Sequence, residues 1–236
     1  AEDIPINIIF EDEDIIVVNK QSGLVTHPGS GNWNGTLANA LLNYDPSLGN
    51  LDRAGIVHRL DKNTSGLMVV AKNQKSQKYL VEQLQSHSIS REYSAIVYGH
   101  MISGGTISEP LGRDPKDRVK QAVLRNGREA TTHYRVINRF KSHTHVKAIL
   151  ETGRTHQIRV HLSHIGYSLV GDSIYGGRVR YPKRASESLK NELLNFKRQA
   201  LHSKKLTLIP LGINISEFLI LLPIFSISSN DSMSSI

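Results

Sequence analysis

A five-residue apolar run, Leu67 to Ala71, follows directly on a charged, turn-rich segment, Gly55-Ile56-Val57-His58-Arg59-Leu60-Asp61-Lys62-Asn63-Thr64-Ser65-Gly66. Its length and composition are those of a buried strand. Such a strand fixes whatever enters it, so the carboxylate of Asp61 is expected among cations at the mouth of a rigid element. That arrangement suits a site. A solvated charge cluster beside a strand is the competing reading, and these residues alone do not separate the two.

Composition narrows the partners. The chain has 236 residues, 39% hydrophobic and 21% charged, which is the balance of a soluble globular protein with one large domain or two small ones. Lys and Arg total 29 against 21 Asp and Glu, giving a formal charge of +8 and a pI of about 9.7. Such a balance favours a polyanion, leaving RNA, DNA and anionic membrane open. The absence of cysteine excludes disulfides, thiolate nucleophiles and Cys-ligated zinc. No apolar run reaches the roughly 18 to 20 residues needed to span a bilayer. The start, Ala1-Glu2-Asp3-Ile4-Pro5, lacks the basic and apolar regions of a signal peptide, so no membrane partner and a cytoplasmic location are expected.

Periodicity predicts strands over Ile6 to Phe10 and Asp14 to Asn19, then a glycine-punctuated loop from Gln21 to Asn32 that is either a connector or a ligand-facing loop. A helix starts at Thr36, with Leu37, Ala40, Leu41 and Tyr44 on its buried side, and a second runs from about Ser76 to Ser86, with Leu80, Val81 and Leu84 on its apolar side and Lys75, Gln77, Lys78, Glu82, Gln83 and Gln85 on its polar side. In the strand Ile89 to Tyr98, alternation puts Arg91, Tyr93 and Ala95 on one face. Residues 99 to 127 read as loop-rich and basic, with the cluster Arg113 to Lys120 as a solvated flap or a backbone-binding loop. Strands follow over Ala130 to Ile137 and Thr144 to Leu150; His143 and His145 share a strand side, but no third ligand nearby supports a metal site.

The second dense stretch is Gly153-Arg154-Thr155-His156-Gln157-Ile158-Arg159-Val160-His161. Thr155 is expected to cap a helix ending at Gly166, with Ile158, Leu162 and Ile165 buried and His156, Arg159 and Ser163 on another face. A basic surface helix is the bland alternative; a helix that presents N–H donors and cations to phosphate is the functional one. A helix from Ser186, with Leu189, Leu193, Leu194 and Phe196 buried, and a strand from Gln199 to Ile209 complete the pattern. Beyond Leu211 the composition changes, and the Ser-rich end from Ser226 is expected to fray.

The stretch His58 to Leu67 resembles the central motif of the RluA-like pseudouridine synthases. Arg91-Glu92-Tyr93 and Gly153 to His161 match further motifs of that family in the same order, and Val17 to Lys20, His27-Pro28-Gly29, Arg53 to Val57 and Leu169 to Asp172 extend the similarity over roughly residues 4 to 205. The resemblance implies an α+β fold with a mixed, mostly antiparallel sheet flanked by helices and loops and a central RNA-binding cleft. It implies a catalytic domain over residues 1–210, a divergent segment over 211–236, and an S4-type RNA-binding domain that would precede residue 1 and is absent from this sequence. It further implies isomerisation of uridine in ribosomal RNA by a monomer without metal or organic cofactor. By motif, Asp61 is the catalytic aspartate, Tyr93 the aromatic that packs on the target base, and Arg159 the cation paired with Asp61. Arg59, His58, Arg154 and His156 are the expected RNA contacts.

Those residue types fit the reaction. Breaking N1–C1′, turning the base and joining C5 to C1′ requires the base to leave its stack at a cost of a few kcal/mol. Stacking on an aromatic ring offsets about 1 to 3 kcal/mol of that cost. An ionised carboxylate must face the sugar, and a guanidinium opposite keeps a carboxylate charged where a second acid would not. The alternatives are a transfer-RNA pseudouridine synthase, a non-catalytic RNA-binding or assembly factor and, less well matched, a glycoside hydrolase, which needs a carboxylate pair.

Overall fold

A computed structural model describes residues 1–29, 31–209, 211 and 218–221. The Ser-rich end expected to fray lies outside these described residues. The chain is α+β with mostly antiparallel strands and forms two compact units. The first comprises Ala1–Arg91 with the described part of Ser203–Leu222, and the second is Glu92–His202.

In the first unit, β1 (Ile8–Glu11) and β2 (Ile15–Lys20) form the expected hairpin, whose turn is closed by Asp12 Oδ1 accepting from the N–H groups of Asp14 and Ile15 at 2.8 and 2.7 Å. β2 runs antiparallel to β3 (Ser65–Ala71), with Ile15 opposite Ala71 and Lys20 opposite Gly66. β10 (Leu201–Leu208) lies next to β3, and β11 (Phe218–Leu221) pairs with β10. The apolar run behaves as its sequence predicts. Every residue of β3 after Ser65 is buried, and Leu67, Val69 and Ala71 pack with Ile15, Val17, Leu80, Ile89 and Leu206.

Two helices flank these strands. α1 (Leu37–Tyr44) starts with a capping box between Thr36 and Asn39. Tyr44, expected on its buried side, is instead exposed, because its hydroxyl donates to Glu11 at 2.6 Å. α2 (Gln74–Gln85) begins earlier than its periodicity predicts, since the Asn73 side chain accepts from the Ser76 N–H at 2.9 Å. Gln83, expected on the polar side, is buried: its amide donates to the Ile209 carbonyl at 2.8 Å and accepts from the Ile209 N–H at 2.9 Å.

The second unit orders its strands as β4 (Ser90–Tyr98), β9 (His143–Leu150), β8 (Thr131–Arg139) and β5 (Gly105–Ser108). The expected alternation holds in β4, where Arg91, Tyr93, Ala95 and Val97 are buried and the residues between them are partly exposed. Residues 99–127 are more ordered than a loop-rich reading allows. Besides β5 they hold a hairpin of β6 (Leu111–Arg113) and β7 (Gln121–Val123), whose three-residue strands are too short to show a period. The helices are α3 (Gln157–His164) and α4 (Glu187–Asn195). α4 begins where expected, with Ser186 as its cap; Leu189 and Leu193 pack on Tyr98 and Val170, whereas Leu194, also expected inside, is exposed.

Two positions make the packing testable. Gly66 enters β3 with φ +115°, and a Cβ there would stand 2.2 Å from the Ser203 carbonyl oxygen. Gly66→Ala should therefore part β3 from β10 and destabilise the protein by about 3 kcal/mol or more in urea unfolding, since neither a positive φ nor a backbone clash can relax cheaply. His143, at the start of β9, is fully buried beside Tyr98, and both its ring nitrogens lack a hydrogen-bond partner among the described residues. Burial, and then the nearby His100, hold its pKa below the usual 6.5. Below that pH the unfolded chain takes up a proton that the folded ring resists, so stability falls as pH falls. His143→Leu should raise Tm, and by more at pH 5.5 than at pH 8.

Candidate active site

In the first unit the segment carrying Asp61 is tied down through its backbone. The buried Lys20 ends β2, and its ammonium donates to the carbonyls of Gln21, Leu24 and Lys62 at 2.9, 2.8 and 3.1 Å. Thr26 Oγ1 donates to the Leu60 carbonyl at 2.8 Å, the Gly23 N–H to that of Lys62 at 2.9 Å, and Ser22 Oγ to that of Asn63 at 3.1 Å. Carbonyls on both sides of Asp61 are thus fastened to residues 20–26. The Thr64 N–H closes the turn on the Asp61 carbonyl at 3.0 Å, and the residue keeps part of its surface exposed. A burial cost for the Lys20 charge is met by carbonyl dipoles, which suit an ammonium with three donors.

His58 and Arg59, adjacent in sequence, differ in what they offer. The His58 Nε2 accepts from the Val69 N–H of β3 at 3.0 Å, which fixes the other nitrogen as the protonated one. Burial first, and then the charge of Arg91, push its pKa down to about 3. The imidazole is neutral at physiological pH and secures the turn to the strand. Arg59 is exposed. Its charge, with that of Arg53, adds to burial in lowering the pKa of His27, so both guanidiniums bear on the Gln21 to Asn32 loop.

In the second unit Tyr93 lies buried in β4, and Arg154, His156 and Arg159 gather around the start of α3. The cap differs from the expected one. His156, not Thr155, occupies the N-cap with φ 57° and ψ 18°, a left-handed conformation that leaves its side chain out of the cap. Gln157 replaces it: its Oε1 accepts from the Arg154 N–H at 2.9 Å and from Thr152 at 2.8 Å, while its amide donates to the Thr131 carbonyl at 2.9 Å and to Thr132 at 3.0 Å. The helix is bolted to β8 rather than capped by a hydroxyl.

Arg159 is buried, and its Nε and Nη2 donate to the two oxygens of Asp172 at 2.7 and 2.9 Å. Burial pushes the Asp172 carboxyl up, but the hydrogen bonds and charge of Arg159, with the N–H groups of Tyr175 and Ile174, outweigh it and hold the pKa below its usual value. The guanidinium also lies 5.0 Å from the centre of the Tyr175 ring. The Tyr175 hydroxyl bonds to His156 Nδ1 at 2.8 Å and accepts from the Gln121 N–H at 2.9 Å. Arg154 is exposed and donates to the Glu129 carbonyl at 3.0 Å.

The structure thus gathers His58, Arg59 and Asp61 in the first unit, and Arg154, His156 and Arg159 in the second, with Tyr93 on β4. Lys20, Asp172 and Tyr175 are the supporting residues that do not stand out in the sequence. The available signals were Val17-Val18-Asn19-Lys20 and Leu169-Val170-Gly171-Asp172, whose match to the family carried no role.

An α+β chain with these motifs in this order has a defined place. The sequence matches the RNA pseudouridylate synthase family over residues 14–164, and the chain belongs to that family. Among its relatives, the ribosomal large subunit pseudouridine synthase D of Escherichia coli (strain K12) is 56% identical over 207 residues, covering 88% of this chain and 64% of the relative. The protein of that name from Pseudomonas aeruginosa is 57% identical over 208 residues, covering 88% and 65%. The chain therefore spans less than two thirds of the length of these relatives. The fold resembles human RNA Pseudouridylate Synthase Domain Containing 4, with TM-score 0.70 and 25% identity over 93% of this chain and 89% of that one. Human RNA Pseudouridylate Synthase Domain Containing 1 shares the fold with TM-score 0.71 and 23% identity, over 94% and 85%.

The bidentate pair should be structural as well as electrostatic. Asp172→Ala leaves a buried guanidinium without its carboxylate and two N–H groups without an acceptor. It is expected to cost about 3–5 kcal/mol in urea unfolding.

Proposed function

We propose that this protein is an RNA pseudouridine synthase, an isomerase acting on uridines of large-subunit ribosomal RNA. The observation that carries the reading is the Asp61 loop. It lies within the matched stretch 14–164, its backbone is fastened on both sides, and its carboxylate-bearing residue stays partly exposed. A reaction at one sugar carbon needs a carboxylate held in a fixed place but open to substrate.

In this reading residues 1–210 form the catalytic domain. Asp61 is the catalytic carboxylate, facing C1′ of the target nucleotide. Tyr93 packs on the base once it has left its stack, and Arg159 serves as the cation for Asp61, itself positioned by Asp172. Arg59 and Arg154 are exposed cations for phosphates, while His156 lies at the head of α3 and His58 contributes by fixing the loop. Within the nucleotide the N1–C1′ bond breaks and a C5–C1′ bond forms, and the hydrogen on C5 passes to solvent as N1 gains one. The atoms and electrons balance inside one nucleotide, so no cofactor is called for. The enzyme works as a monomer in the cytoplasm, on an RNA partner drawn by the net charge of +8.

Tritium release from RNA labelled at uridine C5 tests the reading. Release is expected from large-subunit ribosomal RNA, and Asp61→Asn should lower it at least about a thousandfold, equivalent to about 4 kcal/mol, with RNA binding retained. Release from a transfer-RNA transcript alone would reassign the substrate, and an active Asp61→Asn variant would remove Asp61 from its role.

A further inference from the structure

The loop that leads into α1 holds a feature the proposed chemistry leaves unused. Trp33, the single tryptophan of the chain, is 73% exposed. Asn32 and Asn34 flank it, and Gly31 and Gly35, at φ +83° and +68°, flank those. A Cβ at Gly29, Gly31 or Gly35 would meet nothing within 4 Å, so each of these positions faces open space. Backbone bonds hold the described residues on either side. Gly29 and Asn32 exchange backbone hydrogen bonds of 3.0 and 2.9 Å, and the Gly35 N–H donates to the Glu2 carboxylate at 3.0 Å.

The foot of this loop belongs to the frame that holds Asp61. Thr26 accepts from the Ala38 N–H through its carbonyl at 3.1 Å and donates to the Leu60 carbonyl through its hydroxyl. Two exposed guanidiniums, Arg53 and Arg59, bear on His27 between Thr26 and the turn. Arg53 and Ala54 are both left-handed, with φ 53°, a strained pair that shapes the short turn on which Arg53 is presented.

An exposed indole flanked by asparagines is poorly suited to an apolar protein patch, which would need neighbouring apolar surface. It is well suited to a nucleobase, whose π-face stacks on the ring while its phosphates meet the cations. We propose that Trp33 is a stacking platform for a base flanking the target uridine in the substrate RNA, with Arg53 and Arg59 taking the adjoining phosphates. The inference rests on the reading of the protein as an RNA-modifying enzyme and adds a subsite to it.

Because Trp33 is the only tryptophan, its fluorescence reports this contact directly. Titrating the full chain with an in vitro transcript of large-subunit ribosomal RNA should quench the emission, with the same midpoint as binding followed by filter retention. Trp33→Ala should weaken binding about tenfold, equivalent to about 1.4 kcal/mol, and raise KM in the tritium assay; Trp33→Phe should hold both within about threefold of wild type. Arg53→Ala should weaken binding and flatten its salt dependence by about one phosphate contact. Unchanged fluorescence at saturating RNA, or wild-type binding by Trp33→Ala, would overturn the proposal while turnover by the wild type left the enzyme reading standing. Neither binding nor turnover by the wild type would overturn both.

Discussion

The tie between Lys20 and the loop that carries Asp61 is the interaction on which the first unit depends. A buried ammonium is costly unless its donors are met, and here three carbonyls meet them, two from residues 21 and 24 and one from residue 62. The restraint acts through the backbone carbonyls of Leu60, Lys62 and Asn63. A loop held by its carbonyls keeps its course beneath the residue that carries the carboxylate. The buried run of β3 supplies the other anchor, because Gly66 brings the strand within backbone contact of Ser203 and the Val69 N–H receives His58.

The second unit solves a similar problem by a different route. Arg159 must be inside the protein to be fixed, so its charge needs a permanent partner, and Asp172 supplies both oxygens. Asp172 is fixed in turn by the N–H groups of Ile174 and Tyr175, on a turn that Gly171 can form with φ +72°, where a Cβ would stand 2.1 Å from the Arg198 carbonyl. Tyr175 then reaches back to His156 and stacks beside Arg159. The helix start, the arginine and the turn after it are therefore one hydrogen-bonded assembly.

Much of this was legible from the sequence where local chemistry decides. The β3 run, the Thr36 and Ser186 caps and the alternation of β4 each follow from a period or a cap residue within a few positions. Asp61, Arg59 and Arg159 stood out because they fall in long motifs that resemble those of a known family in the same order. What was not legible depended on partners far along the chain. Lys20 looks like an ordinary strand-end lysine until Lys62 comes beside it, and Asp172 looks like a turn residue until Arg159 does. Gln83 reads as polar surface because nothing nearby foretells Ile209. The left-handed His156 broke the expected Thr155 cap for a related reason, since Gln157 finds acceptors in β8 and donors at Thr152 and Arg154.

The histidines sharpen the electrostatic picture. His27, His58, His143, His161 and His202 all have pKa values below 6.5, each with burial as the leading cause. His161 shows how: its ring is fully buried, with Nε2 donating to the Glu109 carbonyl at 3.0 Å and Nδ1 bonded to the Thr132 hydroxyl at 2.9 Å, and burial still outweighs the Glu109 carbonyl in setting its pKa. The formal charge of +8, counted with neutral histidine, is thus the right one for these groups at neutral pH, and attraction to a polyanion rests on arginine and lysine. Mild acid would add little positive charge at these positions while drawing protons to the unfolded chain. A fall in pH should therefore destabilise the fold at these buried histidines, because the unfolded chain takes up protons that they resist.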